Sequence, residues 1–283
     1  MICKLGIMQG RLSPVIDNQI QSFPLESWKE EFSLASDIGY EIIEWVVDTN
    51  TFEENPLHSQ EGRKEIKSLQ STYDLAVHSI CCDYLMDYPL TSSIESVRID
   101  STNYLRNLIK YSQEIGIKFV ELPLVAKASL KKDEDRHTLK EILLNMSDLL
   151  SDTNTCILLE TDLDPENILN LLNLIDTPHV KLNYDTGNSA YWGFRADLEI
   201  SKYAQYIGNV HIKDCTPEDY SVPLGTGNVN FDTVFSLLRE NGYGGDFIVQ
   251  NARGSEDFQV ALEAYNFTRF YIEKYFSAPQ IRK

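Results

Sequence analysis

Long apolar runs are missing from this chain of 283 residues. No stretch approaches the roughly 18 consecutive apolar residues of a membrane span. The opening Met1-Ile-Cys-Lys-Leu-Gly6 holds no apolar stretch that reads as a signal peptide. Basic residues are also scarce, with 25 Lys and Arg against 43 Asp and Glu and a formal charge of −18. That balance argues against binding a nucleic-acid backbone, which rests on clustered Lys and Arg, and equally against an anionic membrane surface. The cysteines number five and contain no CxxC pair, so neither a disulfide framework nor a structural zinc site is indicated. A redox pair at Cys81-Cys82 is the weaker reading. These absences predict a reduced, cytoplasmic protein without nucleic-acid or membrane partners.

What is present is a steady alternation of short strand-like runs with amphipathic helical runs. Strands are predicted at Lys4–Gln9, Glu41–Val47, Leu75–Ile80, Ile117–Leu122, Thr155–Thr161, His179–Tyr184, Gly208–Lys213 and Gly245–Asn251. Between them, helical spacing is clearest over Asp133–Leu150, where Leu139, Ile142, Leu143, Met146, Leu149 and Leu150 form one apolar stripe. Further helices are predicted near Leu25–Ile38, Ser59–Tyr73, Thr91–Ile115, Asp164–Ile175, Asp197–Tyr206, Phe231–Asn241 and Glu256–Phe276. Parallel strands need right-handed crossover helices, and eight such units close into a single (β/α)8 TIM barrel, an α/β fold, covering 1–283 as one domain. An open doubly wound sheet is the competing architecture. It would usually carry a GxGxxG turn, and Gln9-Gly10-Arg11-Leu12-Ser13-Pro14 is not one. The last helix carries Tyr265, Phe267, Phe270, Tyr271, Tyr275 and Phe276, more aromatic surface than one core-facing stripe uses, and a homo-oligomer contact competes with core packing for it.

In such a barrel the active site lies at the C-terminal strand ends. The polar residues there are Gln9 and Arg11, Glu44 and Asp48, His78 and Asp83, Glu121, Glu160, Asp185, His211 with Lys213 and Asp214, and Gln250 with Arg253. Each has a bland reading. Asp185 can cap the turn at Gly187, His211 can be a satisfied core residue, and Asp83 can cap a loop. Yet Glu160, Asp185, His211 and Gln250 fall on strand ends of four different units. Two carboxylates, an imidazole and an amide suit one divalent ion with open positions, and Mn2+, Mg2+, Co2+ and Zn2+ are all compatible.

Leu158-Leu-Glu160, Asn183-Tyr-Asp185-Thr-Gly-Asn188, His211-Ile-Lys-Asp214, Pro223-Leu-Gly-Thr-Gly-Asn228 and the opening Gly6-Ile-Met-Gln-Gly-Arg-Leu-Ser-Pro14 carry a resemblance. The chain resembles the xylose isomerase-like TIM barrels, in particular the sugar phosphate isomerase/epimerase branch with its ketose 3-epimerases and hexulose phosphate isomerases. The resemblance implies that Glu160, Asp185 and His211 bind the metal, with Gln250 as fourth ligand where the family usually has glutamate. It implies catalysis by Glu160 and position 250 on a sugar or sugar phosphate through a metal-stabilised enediolate. Arg11, His78, Glu121, Asn188, Lys213 and Arg253 are the expected substrate contacts, with Arg11, Lys213, Arg253 and the amides of Gly225-Thr-Gly227 as an anion rim. Asn188 stands where relatives commonly show histidine. Because a glutamine cannot act as a base at neutral pH, one-base isomerisation is favoured over two-base epimerisation, unless Glu44, Asp83 or Glu121 substitutes. A dehydratase of the same superfamily and an impaired sugar-binding barrel are the alternatives. The histidine-rich repair nucleases of the superfamily fit poorly with five histidines and a charge of −18.

Overall fold

A computed structural model describes residues 3–276; residues 1–2 and 277–283 of the 1–283 domain assignment lie outside the described residues. Eight parallel strands close in sequence order into one barrel. They are β1 (Leu5–Met8), β2 (Ile42–Val46), β3 (Ala76–Cys81), β4 (Phe119–Leu124), β5 (Cys156–Thr161), β6 (Val180–Asp185), β7 (Ile207–Ile212) and β8 (Asp246–Val249). Their positions agree with the sequence reading to within a few residues. β4 differs most, because it runs on through Pro123, which stays in register opposite Glu160.

Helices cover the outside: α1 (Glu30–Ile38), α2 (Gln60–Tyr73), the one-turn α3 (Tyr84–Asp87), α4 (Glu95–Ile115), α5 (Asp133–Leu144), α6 (Ser147–Thr153) and α7 (Pro165–Ile175). They continue with α8 (Thr186–Tyr191), α9 (Ala196–Tyr203), α10 (Phe231–Glu240) and α11 (Asp257–Phe276). The predicted helix Asp133–Leu150 is two helices, broken at Asn145-Met146, and the break leaves Met146 and Leu150 both buried. The start of α7 follows its sequence signal closely, with Asp164 accepting from the amides of Glu166 and Asn167 ahead of Pro165. α8 escaped the sequence reading because six residues with no apolar stripe give no periodicity. Among the described residues no helix is long and apolar enough to cross a membrane.

The aromatics of α11 are mostly absorbed by packing. Phe267 and Tyr271 lie against Phe231, and Phe276 lies against Phe235 and Phe247. Phe270 is the exception and is 58% exposed. Phe235 is the centre of this layer: fully buried, it stacks on Phe247 at 4.9 Å and on Tyr271 at 5.2 Å between ring centroids. Phe235→Ala is expected to cost about 3–5 kcal/mol of unfolding free energy, lost transfer energy plus a cavity. Denaturant unfolding measures it, and a loss below about 1 kcal/mol would show that α10 and α11 do not depend on this contact.

Candidate metal centre and active site

The barrel interior is polar at its C-terminal end, and the side chains there converge on His211. The imidazole is fully buried near the end of β7. Its Nε2 lies 2.7 Å from Oε1 of Glu44 and 3.2 Å from Oε2 of Glu121. Its Nδ1 lies 3.3 Å from Oε2 of Glu160 and 3.9 Å from Oδ2 of Asp185. Glu44 reaches inward from β2, where the register with β3 shifts between Ile43 and Glu44 while the next residue, Trp45, packs on Phe23 and Trp28. Its second oxygen accepts from the Ser79 hydroxyl at 2.5 Å.

The expected ligands Glu160, Asp185 and His211 therefore come together, each offering one donor atom within 4.8 Å of the others. Asp185 caps its turn with one oxygen and keeps the other to spare. Its Oδ1 accepts from the Asn188 amide at 2.7 Å and caps α8, while its Oδ2 has no hydrogen-bond partner. His211 Nδ1 is likewise buried without a hydrogen bond, as is Gln250 Oε1. Glu160 is fixed at both oxygens: Asn183 donates to Oε2 and Asn188 to Oε1, each at 2.7 Å. Asn209 in turn donates to Asn183 at 3.0 Å.

Electrostatics give these groups different characters. Burial opposes ionisation of Glu160, but His211, Asn183 and Lys213 outweigh it and hold the carboxyl below its usual range. Burial raises Asp185 to about 6, against the pull of Lys213. Burial pushes Glu121 well up, aided by the charges of Glu160 and Glu44. Burial would lower His211, yet Glu121 and Glu44 drive it well above the ordinary histidine value. One imidazole stands among four buried carboxylates, and Asp185 Oδ2, His211 Nδ1 and Glu121 Oε2 are buried there without a hydrogen bond. Both features fit a divalent cation held by Glu160, Asp185 and His211, with Glu44 fixing the imidazole from behind.

The expected substrate contacts divide. Asn188 and Lys213 are at the site: Lys213 Nζ donates to Asn188 Oδ1 at 2.9 Å and lies 3.4 Å from the ring centre of Tyr220. Tyr220, in the β7–α10 loop, had no periodic or motif signal. Glu121 lies beneath His211 as a buried partner. His78 is not at the site. It sits on the N-terminal half of β3 and pairs with Asp246, the first residue of β8, at 3.0 Å, so it closes the opposite end of the barrel.

Two arginines of the expected anion rim point into the protein instead. Arg253 donates to the carbonyls of Gly10 and Ser13, the latter at 2.7 Å, and Arg11 donates to the Ile20 carbonyl and to Gln21 Oε1. Their physical task is to hold the β1–α1 loop. Glu31, which sequence reasoning missed, holds it from the other side by accepting from Gly10, Leu12 and Ser13. The signal existed: Glu31 stands three residues after Trp28 and four before Ala35, on the buried stripe of α1. The Gly225 and Gly227 amides are also engaged, both donating to Asp214 Oδ2 at 2.9 Å. A β-carbon at Gly227 would lie 2.3 Å from Asp214 Oδ1, which is why glycine stands there.

Glu44→Gln is expected to weaken Mn2+ binding about 10–100-fold, because the amide no longer fixes the imidazole with a charged acceptor. Calorimetric titration of the metal measures this independently of turnover, and unchanged affinity would remove Glu44 from the metal's surroundings. Bound metal is also expected to raise unfolding free energy by about 2.7 kcal/mol at a hundredfold excess over Kd.

Residues 32–269 match the family model described as xylose isomerase-like TIM barrel. The chain is 26% identical over 233 residues to L-ribulose-5-phosphate 3-epimerase UlaE of Salmonella heidelberg, covering 80% of this chain and 82% of that protein. Among solved structures, the IOLI protein with a bound zinc atom superposes with a TM-score of 0.78 at 18% identity, covering 97% and 100% of the two chains. An L-ribulose 3-epimerase superposes with a TM-score of 0.76 at 17% identity, covering 99% and 100%. The chain belongs to the xylose isomerase-like TIM-barrel family.

Proposed function

We propose that this protein is a divalent-metal-dependent isomerase or epimerase of sugars or sugar phosphates in which Glu160 is the base. The observation that carries the reading is the buried set Glu160, Asp185 and His211, with a donor atom free on Asp185 and on His211. A bound divalent ion supplies Lewis acidity to neighbouring carbonyl and hydroxyl oxygens of an open-chain sugar, acidifying the C–H between them. Glu160, kept ionised by His211 and Asn183, takes that proton. Asn183 and Asn188 hold its carboxylate plane, so the base meets the substrate from one defined face. Lys213 stands beside it on Asn188, where it can steady an oxygen of the substrate.

Gln250 can lend its carbonyl oxygen to the metal, but it cannot exchange a proton. Glu160 alone suffices for moving a proton between adjacent carbons on one face, the isomerase form of the reaction. The epimerase form, which the name of the Salmonella relative favours, needs a second acid on the opposite face. The same name supports a phosphorylated substrate. Lys213 is the cation of the expected rim that faces the site, since Arg11 and Arg253 are turned to the β1–α1 loop.

The test is solvent hydrogen exchange in 2H2O with Mn2+, using L-ribulose 5-phosphate, L-ribulose and a set of free ketohexoses. Deuterium is expected at a carbon beside the carbonyl, and Glu160→Gln is expected to slow its appearance about 10²–10⁴-fold. Exchange into none of these ketoses with metal bound would overturn the reading, as would wild-type exchange in Glu160→Gln. Arg253→Ala is expected to lower turnover of free and phosphorylated ribulose by the same factor, within about twofold, because it loosens a loop that both substrates meet. A markedly larger loss on the phosphate ester would return Arg253 to the anion rim.

A further inference from the structure

A carboxylate stands one amide away from the glutamine that replaces the family's strand-eight acid. Gln250 donates from Nε2 to Oε1 of Gln21 at 2.8 Å, and Gln21 donates from its own Nε2 to Oδ2 of Asp83 at 2.5 Å. Arg11 also donates to Gln21 Oε1, at 3.3 Å, which fixes the amide with its nitrogen towards Asp83. The other oxygen of Asp83 faces the Cys81 thiol at 3.5 Å. Asp83 sits at the N-cap of α3, where an aspartate ordinarily bonds the helix amides, yet its side chain makes no cap hydrogen bond. Nor does it form an ion pair among the described residues. Its partners are Gln21 and the weak Cys81 thiol donor, with no cation and no helix amide.

The order of strands places it on the rim. Gln250 follows β8, Gln21 comes from the loop after β1, and Asp83 follows β3, so the three span the rim from β8 round to β3. Glu160 occupies β5, two strands round the closed ring from β3, and Asp185 occupies β6. A sugar carbon held over the mouth between them is approached by Glu160 and by Asp83 from directions a quarter of the ring apart. The remaining carboxylates do not offer this. Glu44 and Glu121 are buried against His211, and Asp48 is engaged by the amides of Phe23 and Thr51. Asp83 is half-buried as a residue, with its carboxyl covered by Gln21 and Cys81.

We propose that Asp83 is the second catalytic acid–base residue, delivering a proton to the substrate carbon on the face opposite Glu160 and so making the reaction an epimerisation. The inference rests on the function proposed above for Glu160. In the step, the Glu160 carboxylate takes the proton from the carbon beside the carbonyl, and the C–H electron pair enters the enediolate. The carbon then takes a proton from the Asp83 carboxyl on the other face, leaving Asp83 as carboxylate and Glu160 as acid. The reverse reaction runs with the roles exchanged, and solvent resets both groups. Burial raises Asp83 to about 6, against the hydrogen bonds of Gln21 and Cys81, which suits a group that both gives and takes a proton near neutrality.

The experiment follows two signals in 2H2O with Mn2+ for the ketose of the set above that exchanges fastest: deuterium in the unchanged substrate, which reports Glu160, and formation of the epimer. Asp83→Asn is expected to keep substrate exchange within about threefold while epimer formation falls about a hundredfold or more. Retained exchange also shows that the variant is folded. Epimer formation at the wild-type rate in Asp83→Asn overturns the proposal. So does an equal loss of both signals, which marks Asp83 as a support, and so does a wild-type protein that exchanges deuterium yet forms no epimer. Wild-type protein that exchanges into no ketose fails the proposed function first, and this inference falls with it.

Discussion

A buried imidazole among carboxylates is the constraint on which the rest of the site depends. His211 contacts Glu44 and Glu121 through one ring nitrogen and faces Glu160 and Asp185 with the other. Like charges at this spacing repel strongly where water is excluded, so the cluster is tolerable only with compensating positive charge. Lys213 supplies part of it, and the divalent cation proposed above would supply the remainder. The polar lining continues downward through Asn183 and Asn209, which leave Glu160 no freedom to turn away. Stability and chemistry are in tension here, as they usually are at a site assembled from ionisable groups.

Much of this was legible in the sequence. The alternating strand and helix signals are strong because buried parallel strands and amphipathic helices have different periods, and the closed barrel follows from their number. Glu160, Asp185 and His211 stood out because each ends an apolar run in a different unit. What the sequence concealed was direction. Nothing in Leu75–Ile80 says that His78 lies at the wrong end of its strand, and nothing in the composition of the rim says which way an arginine turns. Arg253 and Arg11 read as anion ligands by residue type, yet backbone carbonyls of the β1–α1 loop, at Gly10, Ser13 and Ile20, claim them first. Tyr220 and the bridging role of Gln21 arise from loops that carry no periodic signal.

The β1–α1 loop is itself held by such contacts. Glu31 below and Arg253 beside it satisfy the loop's own amides and carbonyls, and the loop in turn presents Gln21 over the mouth. A buried glutamate on a helix thus sets the position of an amide on the far side of a turn. Residues of this kind touch no substrate, yet changes in them alter where the catalytic groups stand.

Asp214 has a parallel part after β7. One carboxylate gathers the amides of Cys215, Gly225, Gly227 and Val229 and so knots both ends of the β7–α10 loop to a single point. A loop tied in this way has little conformational entropy left to lose when a ligand arrives. Tyr220, carried between the tied ends, packs on the Lys213 ammonium and on Tyr191, so the fold itself and not an arriving molecule sets its place.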